Sequence, residues 1–333
     1  MTIKVAINGF GRIGRCVLRS LIEADRRDIE VVAINDLGSP EMNAHLLEFD
    51  SVHGTLREEI RVDGNTLNVG NRSIRVTAER DPKELPWGDV DVALECTGIF
   101  TKRADAAKHL ENGSKKVLIS APGAGADQTI VMGVNDDVLT PADLVVSNAS
   151  CTTNCLAPVA KVLDDTFGIE TGYMTTIHSY TGDQPTLDTL HKDPYRARAA
   201  AMSMIPTSTG AAKAVGLVLP QLVGRLDGSA IRVPTPNVSC VDLCFMPKTS
   251  ATVDQINDAI RAAAAGPMAG VLAVSDKPLV SIDFNHDPHS SIFAVAQTNV
   301  TDGGMIRILT WYDNEWGFSN RMLDAAVALA RVG

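Results

Sequence analysis

The chain has 333 residues, enough for two domains that each bury a core of their own. Hydrophobic residues make up 45% and charged residues 21%, the balance of an ordinary globular protein. Thirty basic against 40 acidic residues give a formal charge of −10, which argues against nucleic acid or an anionic membrane as the main partner. No apolar run is long enough to span a membrane.

Residues 3–8, Ile-Lys-Val-Ala-Ile-Asn, read as a core strand entered directly from Met1-Thr2, which leaves no room for a signal peptide. Gly9-Phe10-Gly11-Arg12-Ile13-Gly14 follows at once, and then a helix with Ile13, Val17, Leu21 and Ala24 on one stripe. A second strand at 31–34 ends at Asn35-Asp36, with the acid about 20 residues past the last glycine. Strand, glycine turn, helix, strand and terminal acid in that order form a dinucleotide-binding fingerprint. The pyrophosphate is expected on the helix N-terminus. Asp36 is expected to accept from the adenosine ribose and to repel a 2′-phosphate, so the expected cofactor is NAD.

Hairpin signals come next, with turns at Asp63-Gly64 and Gly70-Asn71. The parallel pattern then resumes. Residues 92–97 read as a strand, 104–110 as a helix, and 117–120 and the stretch near Val145 as further strands. Thr97 and Ser120 fall at carboxyl ends of strands, the edge where such a sheet binds its ligand.

After the strand near Val145 stands Ala149-Ser150-Cys151-Thr152-Thr153-Asn154, leading into a helix that stops at Gly168. Ser150 is placed as N-cap and Cys151 in the first turn. Free N–H groups and about half a positive charge at a helix N-terminus favour thiolate, and can hold the oxyanion formed when it attacks a carbonyl. Of the six cysteines, Cys16, Cys96, Cys240 and Cys244 read as packing residues in a reducing cytosol. A zinc site at Cys151 and Cys155 would need two further ligands, which the spacing does not offer, so no metal is expected. A nucleotide cofactor beside an activated cysteine suggests aldehyde oxidation through a thioester.

The second half changes character. Segments at 171–179, 231–247, 279–284, 291–298 and 306–312 read as strands, and 210–222, 253–265 and 317–331 as helices. Between Ser179 and about Met204 lies a long polar stretch of the kind that is functional or buried in an interface. The expected fold is α/β. A Rossmann-type doubly wound, mostly parallel sheet occupies 1–150. An α+β catalytic domain with a largely antiparallel sheet occupies 151–315, and the C-terminal helix 316–333 packs on the first domain.

Taken together, the glycine loop, Ser150-Cys151-Thr152-Thr153-Asn154-Cys155, His178-Ser179-Tyr180-Thr181, Arg196-Ala197-Arg198, Ile231-Arg232-Val233-Pro234 and Trp311-Tyr312-Asp313-Asn314-Glu315-Trp316-Gly317 resemble the phosphorylating glyceraldehyde-3-phosphate dehydrogenases. The resemblance runs over essentially the whole chain. It implies that Cys151 attacks the aldehyde and that His178 pairs with its thiolate and acts as base. It implies a substrate-phosphate site of Thr181, Asp183 and Arg232, and a site for the attacking phosphate at Ser150, Thr152, Thr209 and Gly210, with Arg196 between the two. Asp183, acceptor-only when ionised, is expected to orient Arg232 or a substrate hydroxyl. For NAD, the resemblance adds Arg12 and Ile13 at the pyrophosphate, Arg80 near the adenine, and Asn314 at the nicotinamide amide. It implies D-glyceraldehyde 3-phosphate and inorganic phosphate as substrates and a cytoplasmic homotetramer. The remaining histidines, His109 among them, read as surface or supporting residues.

Three features depart from the common pattern. Thr189-Leu190 stands where NAD-preferring members often have Leu-Pro, which leaves some NADP use open, and Phe318 replaces a frequent tyrosine. Residues 284–289 resemble the erythrose-4-phosphate dehydrogenases, the rival reading within the family. Retention of both phosphate sites favours the phosphorylating enzyme. A nucleotide- or RNA-binding protein that reuses the fold is the rival from another class, and Cys151 together with His178 counts against it.

Overall fold

A computed structural model describes residues 2–332 and divides them into two compact units. One holds the described residues up to Ile130, Asp136–Ala149, and those from Ser319 onward. The other holds Val131–Asn135 and Ser150–Phe318.

The first unit is built on a nine-stranded sheet. From one edge, its strands are Gln128–Thr129, Val145–Ser147, Lys116–Ile119, Val92–Glu95, Ile3–Asn8, Ile29–Asn35 and Arg72–Thr77, all parallel, and then Thr66–Val69 and Ile60–Asp63, antiparallel. The two-residue turns of the expected hairpins carry Gly64 and Gly70 at φ of 55° and 56°, as such turns require. Strand order reverses on either side of Ile3–Asn8, the topological switch point where an open parallel sheet receives a ligand. The register sets Asn8 beside both Asn35 and Glu95 at that edge. The helix expected at 104–110 is instead two short turns, Arg103–Ala106 and Lys108–Glu111, and the second carries His109 into the core.

The final helix, Trp316–Arg331, belongs to this unit from Ser319 on. Arg26 pairs with Asp324 at 2.8 Å, and Lys116 Nζ donates to the Leu329 carbonyl at 3.0 Å, satisfying an acceptor the last helical turn leaves open.

The second unit carries an eight-stranded, largely antiparallel sheet. The order is Ile205–Ser208, Leu226–Val233, Ile169–Ser179, Ser239–Pro247, Ile306–Tyr312, Ser291–Ala294 and Leu272–Ser275, with Asn299–Val300 beside Ile306–Tyr312. The segment expected as one strand over 231–247 is two. Residues 279–284, expected as a strand, contain a 3₁₀ turn, Ser281–Phe284. The Asp283 carboxylate accepts from the Val280 N–H at 2.9 Å, and that local bond draws the backbone out of extension. Phe284 then stacks on Trp311 with ring centroids 5.4 Å apart. None of the described helices is long and apolar enough to cross a membrane.

Candidate active site

In the second unit, Cys151 opens the helix Cys151–Phe167. The Ser150 hydroxyl caps it, accepting from the Thr153 N–H at 3.1 Å. His178 lies near the end of the strand Ile169–Ser179, buried, with Nε2 3.5 Å from the Cys151 sulfur. Its Nδ1 is 2.7 Å from the Ser179 carbonyl, which can only accept. Nδ1 therefore carries the proton, and Nε2 presents its lone pair to the thiol. The Arg232 guanidinium, 3.2 Å from Nδ1, is a neighbouring charge rather than a donor to that nitrogen, and it too donates to the Ser179 carbonyl, at 3.1 Å.

Burial pushes the Cys151 thiol up, against the pull of Arg232 and of the Thr152 hydroxyl and N–H toward thiolate. Burial, then Arg232, pushes His178 down from 6.5 to about 3. Sequence position alone predicts a standing thiolate. The enclosed geometry instead favours thiol and neutral imidazole in contact, with the helix N-terminus and Arg232 ready to stabilise negative charge on sulfur.

Sheet register explains the neighbours. His178 pairs with Arg232 across parallel strands, and Arg232 with Ile205 on the next. Arg232 donates to the Thr181 hydroxyl at 2.9 Å, and Thr181 donates to Asp183. Asp183 does not orient Arg232 directly. Its ion pair is with Arg196 at 3.2 Å, and Arg196 Nε is fixed by the Thr207 hydroxyl at 3.1 Å. Burial raises the Asp183 carboxyl, but Thr181, Arg232 and Arg196 outweigh it and hold it below its ordinary value. Arg232 is itself lowered, by burial and by Arg196. Two guanidiniums this close favour an added anion. Thr209 accepts from the Ala211 N–H at 3.2 Å, beside Gly210 at the start of the helix Ala211–Val218.

Thr152 differs from expectation. Its hydroxyl, expected at a phosphate, lies 2.8 Å from the buried Tyr312 hydroxyl, which is also 3.0 Å from Thr176. Tyr312 meets the His178 ring edge-on at 5.9 Å and braces both the cysteine helix and the imidazole. Its only sequence signal is its place in the Trp311–Gly317 segment. Asn314 is held by its Oδ1, which accepts from the hydroxyls of Ser179 and Ser239 at 2.8 and 2.9 Å. The neighbouring Asp313 fixes that turn, accepting from Asn237 Nδ2 and from the N–H groups of His286, Glu315 and Trp316.

In the first unit, a cleft of about 410 Å³ is lined by residues that include Gly9, Gly11, Asp36, Arg80 and Thr97. Gly9 has φ of 89°, and a Cβ there would lie 2.6 Å from the Thr97 nitrogen. A Cβ at Gly14 would lie 2.2 Å from the Gly9 carbonyl, whereas Gly11 faces open space. The first and third glycines thus allow close backbone packing, and the second leaves room for a ligand, the division of labour a pyrophosphate cradle needs. Asp36 accepts from the Phe10 and Gly38 N–H groups at 2.9 and 3.0 Å, which fixes its carboxylate at the cleft. Arg12 is paired with Asp50, a partner that sequence spacing does not suggest. Ile13 is half-buried in the first helical turn, and Ser120 is half-buried just past its strand. The site residues named from the sequence thus fall mainly into two sets, those around a cleft in one unit and a cysteine–histidine–arginine cluster in the other.

Residues 3–103 match the family domain described as glyceraldehyde 3-phosphate dehydrogenase, NAD binding domain, and residues 150–314 match its C-terminal domain. The chain is 68% identical to the glyceraldehyde-3-phosphate dehydrogenase of Cereibacter sphaeroides, with all of both chains covered. It is 66% identical to that of Xanthobacter flavus and 56% identical to glyceraldehyde-3-phosphate dehydrogenase 1 of Bacillus subtilis, again over both full lengths. The chain belongs to the glyceraldehyde 3-phosphate dehydrogenase family, oxidoreductases with NAD as cofactor.

Proposed function

We propose that the chain oxidises D-glyceraldehyde 3-phosphate with NAD and inorganic phosphate to 1,3-bisphosphoglycerate. The observation that carries this reading is the 3.5 Å contact between Cys151 and His178 beside the Arg232–Arg196 pair. The thiol proton passes to His178 Nε2 as sulfur adds to the aldehyde carbon. The helix N-terminus stabilises charge at the reacting centre. The cofactor, when bound, accepts a hydride. His178 Nε2 returns that proton to the oxyanion, giving the hemithioacetal hydroxyl, and as neutral imidazole takes it back when the hydride leaves, so that a thioester remains on Cys151. A phosphate oxygen attacks the thioester carbon, the carbon–sulfur bond breaks, and the acyl phosphate leaves with Cys151 regenerated. Arg232 and Thr181 suit the substrate phosphate, with Asp183 setting Arg196 in place. Arg196, Thr209, Gly210 and Ser150 suit the attacking phosphate. Thr152 serves through its N–H and its bond to Tyr312. In the cofactor role, Gly9, Phe10, Gly11, Arg12, Ile13 and Gly14 take the pyrophosphate side, Asp36 and Arg80 the adenosine side, Thr97 and Ser120 the strand edge, and Asn314 the nicotinamide amide.

The assembly proposed is a cytoplasmic homotetramer. Supporting it, Leu187, Leu190, Met202 and Met204 all project into solvent from one loop, an apolar load that association would bury. Sedimentation of the purified protein tests this, and a monomer would refute it. The activity is tested by NAD reduction with D-glyceraldehyde 3-phosphate, with erythrose 4-phosphate and NADP in parallel. Strong, phosphate-dependent turnover of the three-carbon substrate with NAD is expected. Preference for erythrose 4-phosphate without a phosphate requirement would overturn the reading.

A further inference from the structure

Beneath the cofactor cleft lies a buried polar chain that the reaction above does not use. Glu95 is 1% exposed and His109 0%. The carboxylate takes four bonds. One oxygen accepts from the Thr97 N–H at 2.9 Å and from the Thr97 hydroxyl. The other accepts from Asn8 Nδ2 at 2.7 Å and faces His109 Nε2 at 3.0 Å. Trp87 stacks over the imidazole at 5.4 Å and closes it from solvent.

An ionised carboxylate only accepts, so it dictates the polarity of everything attached to it. His109 must turn an N–H toward it. Asn8 must turn Nδ2 toward it, which sends Asn8 Oδ1 to Asn35 Nδ2 at 2.7 Å. Asn35 Oδ1 is then left to accept from the Glu79 N–H at 2.8 Å and the Thr77 hydroxyl at 2.9 Å. Asn35 Nδ2 also donates to the Glu79 carbonyl at 2.8 Å. A single charge thus orients two amides in series and pins both Thr97 and the Glu79–Arg80 segment. Asn8, Asn35, Glu79, Arg80 and Thr97 all line the cleft.

We propose that Glu95 and His109 are positioning residues for the cofactor, acting through Asn8 and Asn35 on both walls of the adenosine side of the cleft. The proposal rests on that cleft being the NAD site. In Glu95→Gln, an amide replaces an acceptor, and one of its donors must face Thr97 N–H, Asn8 Nδ2 or the imidazole N–H. The network then loses its single consistent arrangement. His109→Leu leaves the buried charge short of a donor. His109→Gln restores a donor of similar reach.

The test is ADP-ribose affinity by calorimetry, well below each variant's melting temperature, together with NAD steady-state kinetics on the full chain. Glu95→Gln and His109→Leu should lose about ten- to a hundredfold in ADP-ribose affinity and raise the NAD KM in step, because the first removes the charge that orders the network and the second a bond to it. At saturating NAD, kcat should stay within about twofold of the parent, and His109→Gln should recover most of the affinity. Parental affinity for ADP-ribose in both variants, with only melting temperature lowered, would overturn the proposal by showing a purely structural pair. A fall in kcat with unchanged KM would overturn it too. Failure of the parent chain itself to bind ADP-ribose would instead remove the cofactor reading, and the proposal with it.

Discussion

The cofactor cleft and the catalytic cluster solve the same problem, a sharp backbone turn beside reacting groups, in opposite ways. At the cleft the left-handed turn falls on Gly9, where it costs little. Around the catalytic cluster, left-handed conformations fall on residues with side chains. Ala149, one residue before the Ser150 cap, has φ of 56°. Val238, which precedes Ser239, has 68°, and His286, whose N–H reaches Asp313, has 71°. Each costs roughly 1–2 kcal/mol, and for β-branched Val238 the conformation is a true outlier. These residues abut the groups that hold Cys151 and Asn314, so the strain sits where placement of reacting groups matters. Glycine gives room for a ligand, whereas a strained side chain gives a fixed position for chemistry.

The sharpest way to break this contrast is to delete the chemistry and leave the position. Cys151→Ser should lower kcat at least about a thousandfold, because a hydroxyl is a far weaker nucleophile near neutral pH. NAD affinity, measured by titration, should be unchanged. His178→Asn should cost about 10²–10⁴-fold in kcat, the range of a general base, with less effect on KM. A raised KM with kcat unchanged would place His178 in binding instead.

On the cofactor side, Gly9→Ala should destabilise the protein by about 2 kcal/mol or more in denaturant unfolding and raise the NAD KM, since the new methyl meets the Thr97 backbone. Ala149→Gly is the mirror experiment. Relief of strain offsets the loss of a buried methyl, each about 1 kcal/mol, so stability should move by less than about 1 kcal/mol.

The pH dependence separates the regions again. His178 is held neutral in the fold, its pKa lowered from 6.5 to about 3 chiefly by burial. Between those values the unfolded chain binds the extra proton, so stability is full above 6.5 and is lost as pH falls toward 3. Unfolding of His178→Asn should show a shallower loss over that window, whereas Gly9→Ala should keep the parent's slope.

The same contrast governs what was legible in the sequence. The glycine loop and Asp36 could be read because they lie within one βαβ unit, and local spacing shows them directly. Cys151 could be read for the same reason, since cap, helix start and stop are contiguous. The pairing of Asp183 with Arg196, the turn of Thr152 toward Tyr312, and the burial of His109 against Glu95 come from strands and helices far apart in the chain, which no local pattern reports. Residues 279–284 alternate like a strand, but one side-chain bond from Asp283 overrides that preference. The strand Ile205–Ser208 was missed because Pro206 interrupts it, tolerable at the sheet edge where it lies.

The central claim is a covalent acyl group on Cys151 that phosphate removes. Mass spectrometry of protein quenched after mixing with NAD and D-glyceraldehyde 3-phosphate, without phosphate, tests it most directly. One acyl adduct on the peptide bearing Cys151, discharged on adding phosphate, is the predicted result. No adduct, an adduct on another cysteine, or steady turnover in the absence of phosphate would contradict the account.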